Sequence, residues 1–194
     1  NTEGKIYTQN KDLKVLFVGT PARRKGLDIL LCAFEKAVSI SPNLSLTIKT
    51  KAWPFREDAV NDLEQKFSDF RANKISFNWI PNFLSEEELS QLYQSHDVLC
   101  LPHRGEGFAM TCLESMACGT PVIATCFGGA KEAIVNGKTG FVVNPFNIDY
   151  FYNRITEILD NDELSGDMAK ESKKRFDNLF TIDNCIKQYA KFVY

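Results

Sequence analysis

Residues 102–121 read PHRGEGFAMTCLESMACGTP, a loop followed by a helical pattern. The apolar run Val98–Leu101 precedes this stretch and is typical of a short buried strand. The helical pattern begins near Phe108 and is expected to stop at Gly119 and Pro121, because glycine just past a helix followed by proline is a common end signal. The sequence therefore predicts a strand, a loop and a helix in succession.

The predicted helix has a carboxylate in its apolar stripe. Met110, Leu113 and Ala117 recur at i, i+3 and i+7 and are predicted to form the buried face. Glu114 follows Met110 by four residues and belongs to the same face, where an unpaired carboxylate is costly. This exception to the pattern indicates a binding role for Glu114.

A second glutamate, Glu106, lies in the loop before the helix. Its separation from Glu114 corresponds to roughly 12 Å along an ideal helix at ~1.5 Å per residue, and the free N–H groups of the helix start lie between them and favour an anion. A sugar nucleotide would satisfy all three features, with its sugar at Glu106, its diphosphate over the helix start and its ribose at Glu114. In the alternative interpretation, Glu106 only compensates the helix dipole and Glu114 pairs with a neighbouring lysine or arginine.

Residues 19–26, GTPARRKG, form a segment that we name the basic loop. It follows a predicted strand and precedes a predicted helix, and ligands of open α/β sheets bind at such strand ends. Three consecutive cations, Arg23, Arg24 and Lys25, oppose the dipole of a helix N-terminus unless an anion neutralises them. A diphosphate would do so, and a solvated basic loop without a ligand is the alternative.

Strand-like and helical segments alternate along most of the chain. This order predicts an α/β fold, with a Rossmann-like parallel sheet and helices on both faces. The predicted strands are residues 13–18, 44–48, 75–80, 98–101 and 122–125, and the predicted helices are residues 26–40, 56–71, a segment that starts with a capping box at Ser85, the helix from Phe108, residues 130–135, and two or three amphipathic helices from Ile148 onward.

The composition excludes several classes of protein. The 194 residues, 44% of them hydrophobic, suffice for one large α/β domain. A net charge of −2 does not favour a nucleic-acid surface, and no apolar run reaches membrane-spanning length. The six cysteines include no C-x-x-C pair and are interpreted as reduced core thiols, which favours a cytoplasmic protein.

Three segments together resemble one known family. Residues 106–125, EGFAMTCLESMACGTPVIAT, resemble the E-x7-E signature of the retaining glycosyltransferases of family 4 ("group 1"), which have a two-domain B-type architecture. Residues 13–31, LKVLFVGTPARRKGLDILL, resemble the strand, phosphate loop and helix that open the C-terminal half of those enzymes, and residues 136–143, NGKTGFVV, resemble its closing element. The resemblance covers nearly the whole chain in order.

The resemblance implies a domain organisation and a function. Residues 1–12 would end an interdomain linker, and residues 13–194 would form the donor-binding domain with a helical tail. The donor would be a UDP- or GDP-linked sugar, with no cofactor or metal. The acceptor, a glycan, lipid or protein, would bind an N-terminal domain that this chain lacks, so the chain alone is expected to be inactive or weakly active.

Two alternatives to the transferase remain open: a sugar-nucleotide epimerase of the same architecture, and a non-catalytic module that binds nucleotide sugars. The expected location is cytoplasmic, and peripheral attachment to the cytoplasmic face of a membrane is also compatible with the family. Nucleic acid is not expected as a partner.

The resemblance assigns Lys25 to the donor diphosphate and Glu106 to the donor sugar, and both are predicted to act in catalysis. Thr20 stands where many relatives have arginine, and Arg24 is the candidate replacement. Lys49 is either a donor contact or a surface lysine, and His103 is either a sugar contact or a structural histidine with satisfied ring nitrogens. The predicted donor-binding residues are Thr20, Arg24, Lys25, Lys49, Asn82, His103, Gly105, Glu106, Gly107, Phe108, Ala109, Met110, Thr111 and Glu114.

Two further motifs are discounted. Residues 160–162, DND, fit the D-x-D metal motif of a different glycosyltransferase architecture, but they lie in the predicted helical tail and are interpreted as a turn between helices. Residues 137–139, GKT, resemble the end of a P-loop, but the glycine required five positions earlier is Glu132. Gly128 and Gly129 predict a tight loop that, by the resemblance, lies with Glu132 at the donor pocket.

Overall fold

A six-stranded parallel sheet forms the centre of the computed structural model, which describes residues 13–50, 57–144 and 147–193. The strands are β1 (Leu13–Val18), β2 (Leu44–Lys49), β3 (Phe77–Ile80), β4 (Val98–Leu101), β5 (Val122–Thr125) and β6 (Gly140–Val143). They lie in the order β3-β2-β1-β4-β5-β6, and each neighbouring pair is parallel. The strand order reverses between β1 and β4, where open α/β sheets form their binding crevice.

Helices cover both faces of this sheet, as the alternating sequence pattern predicts. The helices are α1 (Leu27–Val38), α2 (Glu57–Ala72), α3 (Glu86–Gln94), α4 (Met110–Ala117), α5 (Ala130–Ala133), α6 (Ile148–Leu159), α7 (Asp162–Leu179) and α8 (Ile182–Val193). One core cluster joins the sheet to α1, α2 and α6, and the other joins it to α3, α4 and α5. Along β1, Val15 and Phe17 belong to the first cluster and Leu16 to the second, so this strand is apolar on both faces.

The buried face of α4 differs from the sequence prediction. Met110, predicted to be buried, is 60% exposed, whereas Cys112 and Met116 are fully buried. The helix also begins at Met110 instead of Phe108. Met110 lies on the exposed side of the first turn, whereas Cys112, Leu113 and Met116 form the side of the helix that packs in the core.

Local signals for helix ends agree with the structure. Ser85 and Glu88 form the predicted capping box at the start of α3. Asn161 caps α7 by accepting a hydrogen bond from the Leu164 N–H at 3.0 Å, so residues 160–162 form the predicted turn between helices. The six cysteines are free thiols, but only Cys100 and Cys112 are buried and Cys185 is exposed, so the interpretation of all six as core thiols is wrong. Residues 1–12, the predicted linker end, lie outside the described residues.

None of the helices in the described part of the chain is both long enough and apolar enough to cross a membrane.

Candidate functional site

Two loops at the carboxyl ends of β1 and β4 lie against each other: the basic loop and residues 102–109, which we name the acidic loop. Gly26, at φ +70°, approaches Pro102 so closely that an added Cβ would lie 1.8 Å from the Pro102 carbonyl oxygen. The Arg104 N–H donates to the Arg24 carbonyl at 2.7 Å. Adjacent parallel strands therefore bring the two predicted halves of the site into contact.

Glu106 lies at the centre of this contact. Its Oε2 atom accepts hydrogen bonds from Lys25 Nζ and, at 2.9 Å, from Arg24 Nη1. Partial burial raises the pKa of Glu106, but the hydrogen bond and charge of Lys25 outweigh burial and leave the pKa below its ordinary value. The carboxylate is therefore ionised at neutral pH and neutralises the two cations. We name Arg24, Lys25 and Glu106 the ion cluster. The sequence prediction placed Glu106 at the donor sugar and the two cations at the diphosphate, whereas in the structure the carboxylate contacts both cations directly.

His103 is buried behind the ion cluster, with 2% of its surface exposed. Its Nδ1 atom lies 3.9 Å from Glu106 Oε2, and its Nε2 atom has no hydrogen-bond partner among the described residues. Burial, together with the charge of Lys25, lowers the pKa of His103 to about 4, so the imidazole is neutral at physiological pH. The described residues provide no partner for Nε2, and the two interpretations of His103, as a sugar contact or as a structural histidine, stay predictions.

The loop that follows β5 contacts the residues just before α4. The Gly129 N–H donates to the Gly107 carbonyl at 2.6 Å, and a Cβ on Gly128 would lie 2.8 Å from the Glu106 carbonyl oxygen. The N-cap residue of α4, Ala109, has no side chain that could cap the first turn. The glycine pair therefore contacts the acidic loop at Glu106 and Gly107, and the amides at the helix start are of the kind that bind anions.

Glu114 pairs with a tyrosine and not with the lysine or arginine of the alternative interpretation. The Tyr93 hydroxyl donates to Glu114 Oε2 at 2.8 Å, so a phenol takes the place of a lysine or arginine. In the part of the chain that the structure describes, Glu114 Oε1 accepts no hydrogen bond. Burial, and then the charge of Glu114, raise the pKa of Tyr93, which keeps the phenol protonated. The Tyr93 hydrogen bond uses Oε2 and not Oε1 of Glu114.

A cavity of about 690 Å³ lies beside the ion cluster, where β1, β2 and β3 end. Thr20, Lys49 and Asn82 all line it, together with Phe83, whose side chain is 90% exposed. The volume is that of a small-molecule site. Gly19 joins the cavity to the ion cluster, since a Cβ there would lie 3.9 Å from Lys25 Cδ.

Lys49 is a buried residue and not the surface lysine of the alternative interpretation. It is 9% exposed, and its Nζ atom donates to the Thr50 carbonyl at 3.0 Å. The Thr50 hydroxyl in turn accepts a hydrogen bond from Trp79 Nε1 at 3.0 Å. Lys49 thus places a positive charge in the wall of the cavity.

The predicted residues fall into three groups. Arg24, Lys25 and Glu106 form the ion cluster. His103 is buried behind it, and Gly105 lies between them in the acidic loop. Thr20, Lys49 and Asn82 line the cavity. Gly107, Phe108 and Ala109 lie in the acidic loop directly before α4, and Met110, Thr111 and Glu114 belong to α4 itself.

The sequence interpretation missed the ion pair between Arg104 and Asp28. Two hydrogen bonds, of 2.7 and 2.5 Å, join the Arg104 guanidinium to the Asp28 carboxylate. Asp28 lies in the first turn of α1, directly after the basic loop. Acidic residues are common in a first turn because they interact favourably with the helix dipole, so the position of Asp28 did not indicate a role in the site.

Comparison with known proteins supports the family resemblance. Residues 2–175 match the sequence model of the family described as glycosyl transferases group 1. An uncharacterized glycosyltransferase of Methanocaldococcus jannaschii is 30% identical over 177 residues, which cover 91% of this chain and 46% of that protein. The chain spans about half the length of the curated relatives it matches.

Solved structures show the same fold. Sucrose-phosphate synthase of Thermosynechococcus elongatus matches with a TM-score of 0.82 and 26% identity, over 96% of this chain and 46% of that one. Anabaena HepE in complex with UDP-glucose matches with a TM-score of 0.81 and 21% identity, over 94% of this chain and 48% of that one. Since the family model covers most of its length, the chain belongs to the group 1 glycosyltransferases.

Proposed function

We propose that this chain is the donor-binding, C-terminal half of a retaining glycosyltransferase, which transfers a sugar from a UDP- or GDP-linked donor. The observation that supports this most directly is the contact of Glu106 with Lys25 and Arg24 beside a ligand-sized cavity. A sugar nucleotide carries a diphosphate next to a hydroxyl-bearing sugar, so it offers anionic oxygens to Lys25 and Arg24 and hydroxyl donors to the Glu106 carboxylate. HepE, with the same fold, binds UDP-glucose.

The proposed donor lies along the strand ends. Its base and ribose occupy the cavity, where Phe83 offers an exposed aromatic face to the base. The ribose hydroxyls bind Oε1 of Glu114. The diphosphate lies on Lys25, Arg24 and the amides at the start of α4, and the donor sugar lies at Glu106.

The cations have a chemical role in the proposed reaction. The difficult step is departure of the nucleoside diphosphate as the anomeric carbon becomes cationic. Lys25 and Arg24 stabilise the negative charge that develops on the leaving phosphate, and this kind of preorganised electrostatic interaction is a large contributor to catalysis. The Glu106 carboxylate holds the sugar hydroxyls and stabilises the cationic carbon.

Arg24 is proposed to replace the arginine that many relatives have at the position of Thr20. Its Nη1 atom lies 2.9 Å from Glu106 Oε2, which supports a place for its guanidinium in the same ion cluster as Lys25. With these two cations at the diphosphate, donor binding is proposed to need neither a metal ion nor a cofactor.

The acceptor, a glycan, lipid or protein, is proposed to bind a second domain, as expected for a chain that spans about half the length of its relatives. The chain alone would then bind donor but transfer sugar poorly. We place the reaction in the cytoplasm, with or without attachment to the membrane surface, because the free cysteines suit a reducing compartment.

Calorimetric titration with UDP, GDP and UDP-glucose tests this proposal, with and without a chelator. We expect Lys25→Ala to weaken binding of the preferred diphosphate about tenfold or more, because a hydrogen bond to a charged group contributes ~1.5–3 kcal/mol. Lys36→Ala is the matched control, since Lys36 pairs with Asp149 on the exposed side of α1. Equal affinities of Lys25→Ala and the wild type would contradict the phosphate assignment, and a chelator effect would contradict metal independence.

A further inference from the structure

Arg104 connects the two loops of the site through both its backbone and its side chain. Its N–H donates to the Arg24 carbonyl at 2.7 Å, and its Nη1 atom donates to the Arg23 carbonyl at 2.8 Å. The same guanidinium makes its two hydrogen bonds to Asp28. Arg104 thus contacts the first turn of α1 and the short 3-10 turn Arg23–Lys25 at once.

These contacts determine where the diphosphate cations lie relative to Glu106. Arg24 and Lys25 belong to the 3-10 turn whose carbonyls Arg104 binds, and Glu106 follows Arg104 by two residues in the acidic loop. The 3-10 turn is also held by its own hydrogen bonds, by the ion pairs of Arg24 and Lys25 with Glu106, and by the close approach of Gly26 to Pro102. Arg104 adds the contacts that join the backbone of this turn to the acidic loop and to α1.

The ion pair is poorly suited to stabilise the fold but well suited to orient a loop. Its side chains are 30% and 47% exposed, and ion pairs at that exposure contribute little to stability. A planar guanidinium with two parallel hydrogen bonds to a carboxylate fixes direction as well as distance, which a lysine in the same place cannot do.

We propose that Arg104, oriented by Asp28, is a positioning residue for the donor diphosphate. It holds Arg24 and Lys25 beside the acidic loop that leads into α4, where the diphosphate is proposed to bind, and it does not itself contact the donor. This proposal rests on the proposed function, because it concerns the same nucleotide site.

The test compares the affinities of UDP and uridine, and of GDP and guanosine, in four variants: Arg104→Met, Arg104→Lys, Asp28→Asn and Glu35→Gln. The last is the matched control, since Glu35 also lies on α1 and makes a 2.8 Å ion pair with another helix, through Lys66. Nucleosides lack the diphosphate, so their affinity reports the cavity alone.

We expect Arg104→Met and Asp28→Asn to lower the affinity for the preferred nucleoside diphosphate about tenfold, with nucleoside affinity unchanged. Arg104→Lys should not restore binding, because a lysine cannot form the paired hydrogen bonds. A fifth variant, which combines Arg104→Met with Asp28→Asn, should bind no more weakly than Arg104→Met, because both substitutions remove the same interaction. Glu35→Gln should behave as the wild type.

Three outcomes would overturn the positioning role. One is unchanged diphosphate affinity in both Arg104→Met and Asp28→Asn, and a second is an equal loss of nucleoside affinity, which indicates a general structural effect. If Arg104→Met does not fold, Asp28→Asn decides alone, because it leaves the Arg104 backbone contacts in place. The third outcome is a wild type that binds neither UDP nor GDP, which would contradict the proposed function itself and the positioning role with it.

Discussion

Glu106 neutralises the same two cations that are proposed to bind the donor diphosphate. In the structure its carboxylate contacts both Lys25 and Arg24. A nucleoside diphosphate without a donor sugar must therefore compete with Glu106 for these cations. A sugar nucleotide can compensate, because its sugar offers hydroxyl donors to the displaced carboxylate.

This competition gives a prediction for Glu106→Gln. We expect UDP to bind this variant roughly three- to tenfold more tightly than the wild type, because a neutral amide competes weakly for Lys25 and Arg24. The extra affinity that the wild type gains from the glucose of UDP-glucose should disappear. Calorimetry at low salt measures both affinities, and Glu86→Gln, on the exposed first turn of α3, is the control. Weaker UDP binding by Glu106→Gln would refute the competition.

His103 gives a prediction for stability against pH. Its folded-state pKa of about 4 lies below the ordinary value of 6.5, mainly because of burial, so the unfolded chain binds more protons between these values. Stability should therefore fall as pH decreases through this window, by about 2 to 3 kcal/mol at pH 4.5. Urea denaturation of the wild type and His103→Gln measures the effect. The variant should lose most of the pH dependence and retain the part due to His96, whose pKa burial also lowers.

The pH prediction fails if His103→Gln and the wild type lose stability equally between pH 7 and pH 4.5. Glu106 acts in the same direction at lower pH. Its pKa lies below the ordinary value, so its contribution is present above that value and is lost as pH falls through the folded-state pKa.

At the scale of helices and strands, the sequence predicted features that depend on neighbouring residues. The capping box of Ser85 and Glu88 is an example, because its two hydrogen bonds join residues three apart. The buried face of α4 was predicted correctly at Leu113 and wrongly at Met110, since the spacing that joins these residues does not show which of them faces the core. That placement depends on the length of β4 and on the acidic loop, which helix periodicity does not contain.

The close approach of the basic and acidic loops gives a prediction for Gly26→Ala. The residue has φ +70°, and its Cβ would lie 1.8 Å from the Pro102 carbonyl oxygen, so the loops must separate. We expect a loss of stability clearly above 1 kcal/mol and a loss of UDP affinity, because Lys25 moves away from the start of α4, where the same diphosphate is proposed to bind. Gly137→Ala is the matched control: its φ is +78° and nothing lies within 4 Å, so it has only the left-handed backbone cost of about 1 kcal/mol.

Chemical denaturation and calorimetry of both glycine variants separate the two effects. If Gly26→Ala destabilises the fold and still binds UDP as tightly as Gly137→Ala does, the contact between the loops is not what holds the cations at the site.

At the scale of the whole molecule, the sequence predicted the class of fold but not the strand order. Alternating strands and helices imply a parallel sheet, and continuous apolar strands such as Val98–Leu101 imply cover on both faces. The reversal between β1 and β4 depends on pairings such as Val15 with Val98, 83 positions apart, which no local pattern encodes. The same holds for Arg104 and Asp28, which only the finished sheet brings together.

Binding of a nucleotide at this reversal should stabilise the whole domain. A ligand at 100 times its Kd adds ~2.7 kcal/mol to the free energy of unfolding, which corresponds to a Tm increase of about 5 to 10 °C for a domain of this size. A thermal-shift series with UDP, GDP, UDP-glucose and the free nucleosides would identify the base from the largest increase. Lys25→Ala should show a much smaller shift with the diphosphates and an unchanged shift with the nucleosides. If the increase is the same in Lys25→Ala, the nucleotide binds elsewhere on the domain, and the reversal between β1 and β4 is not the donor site.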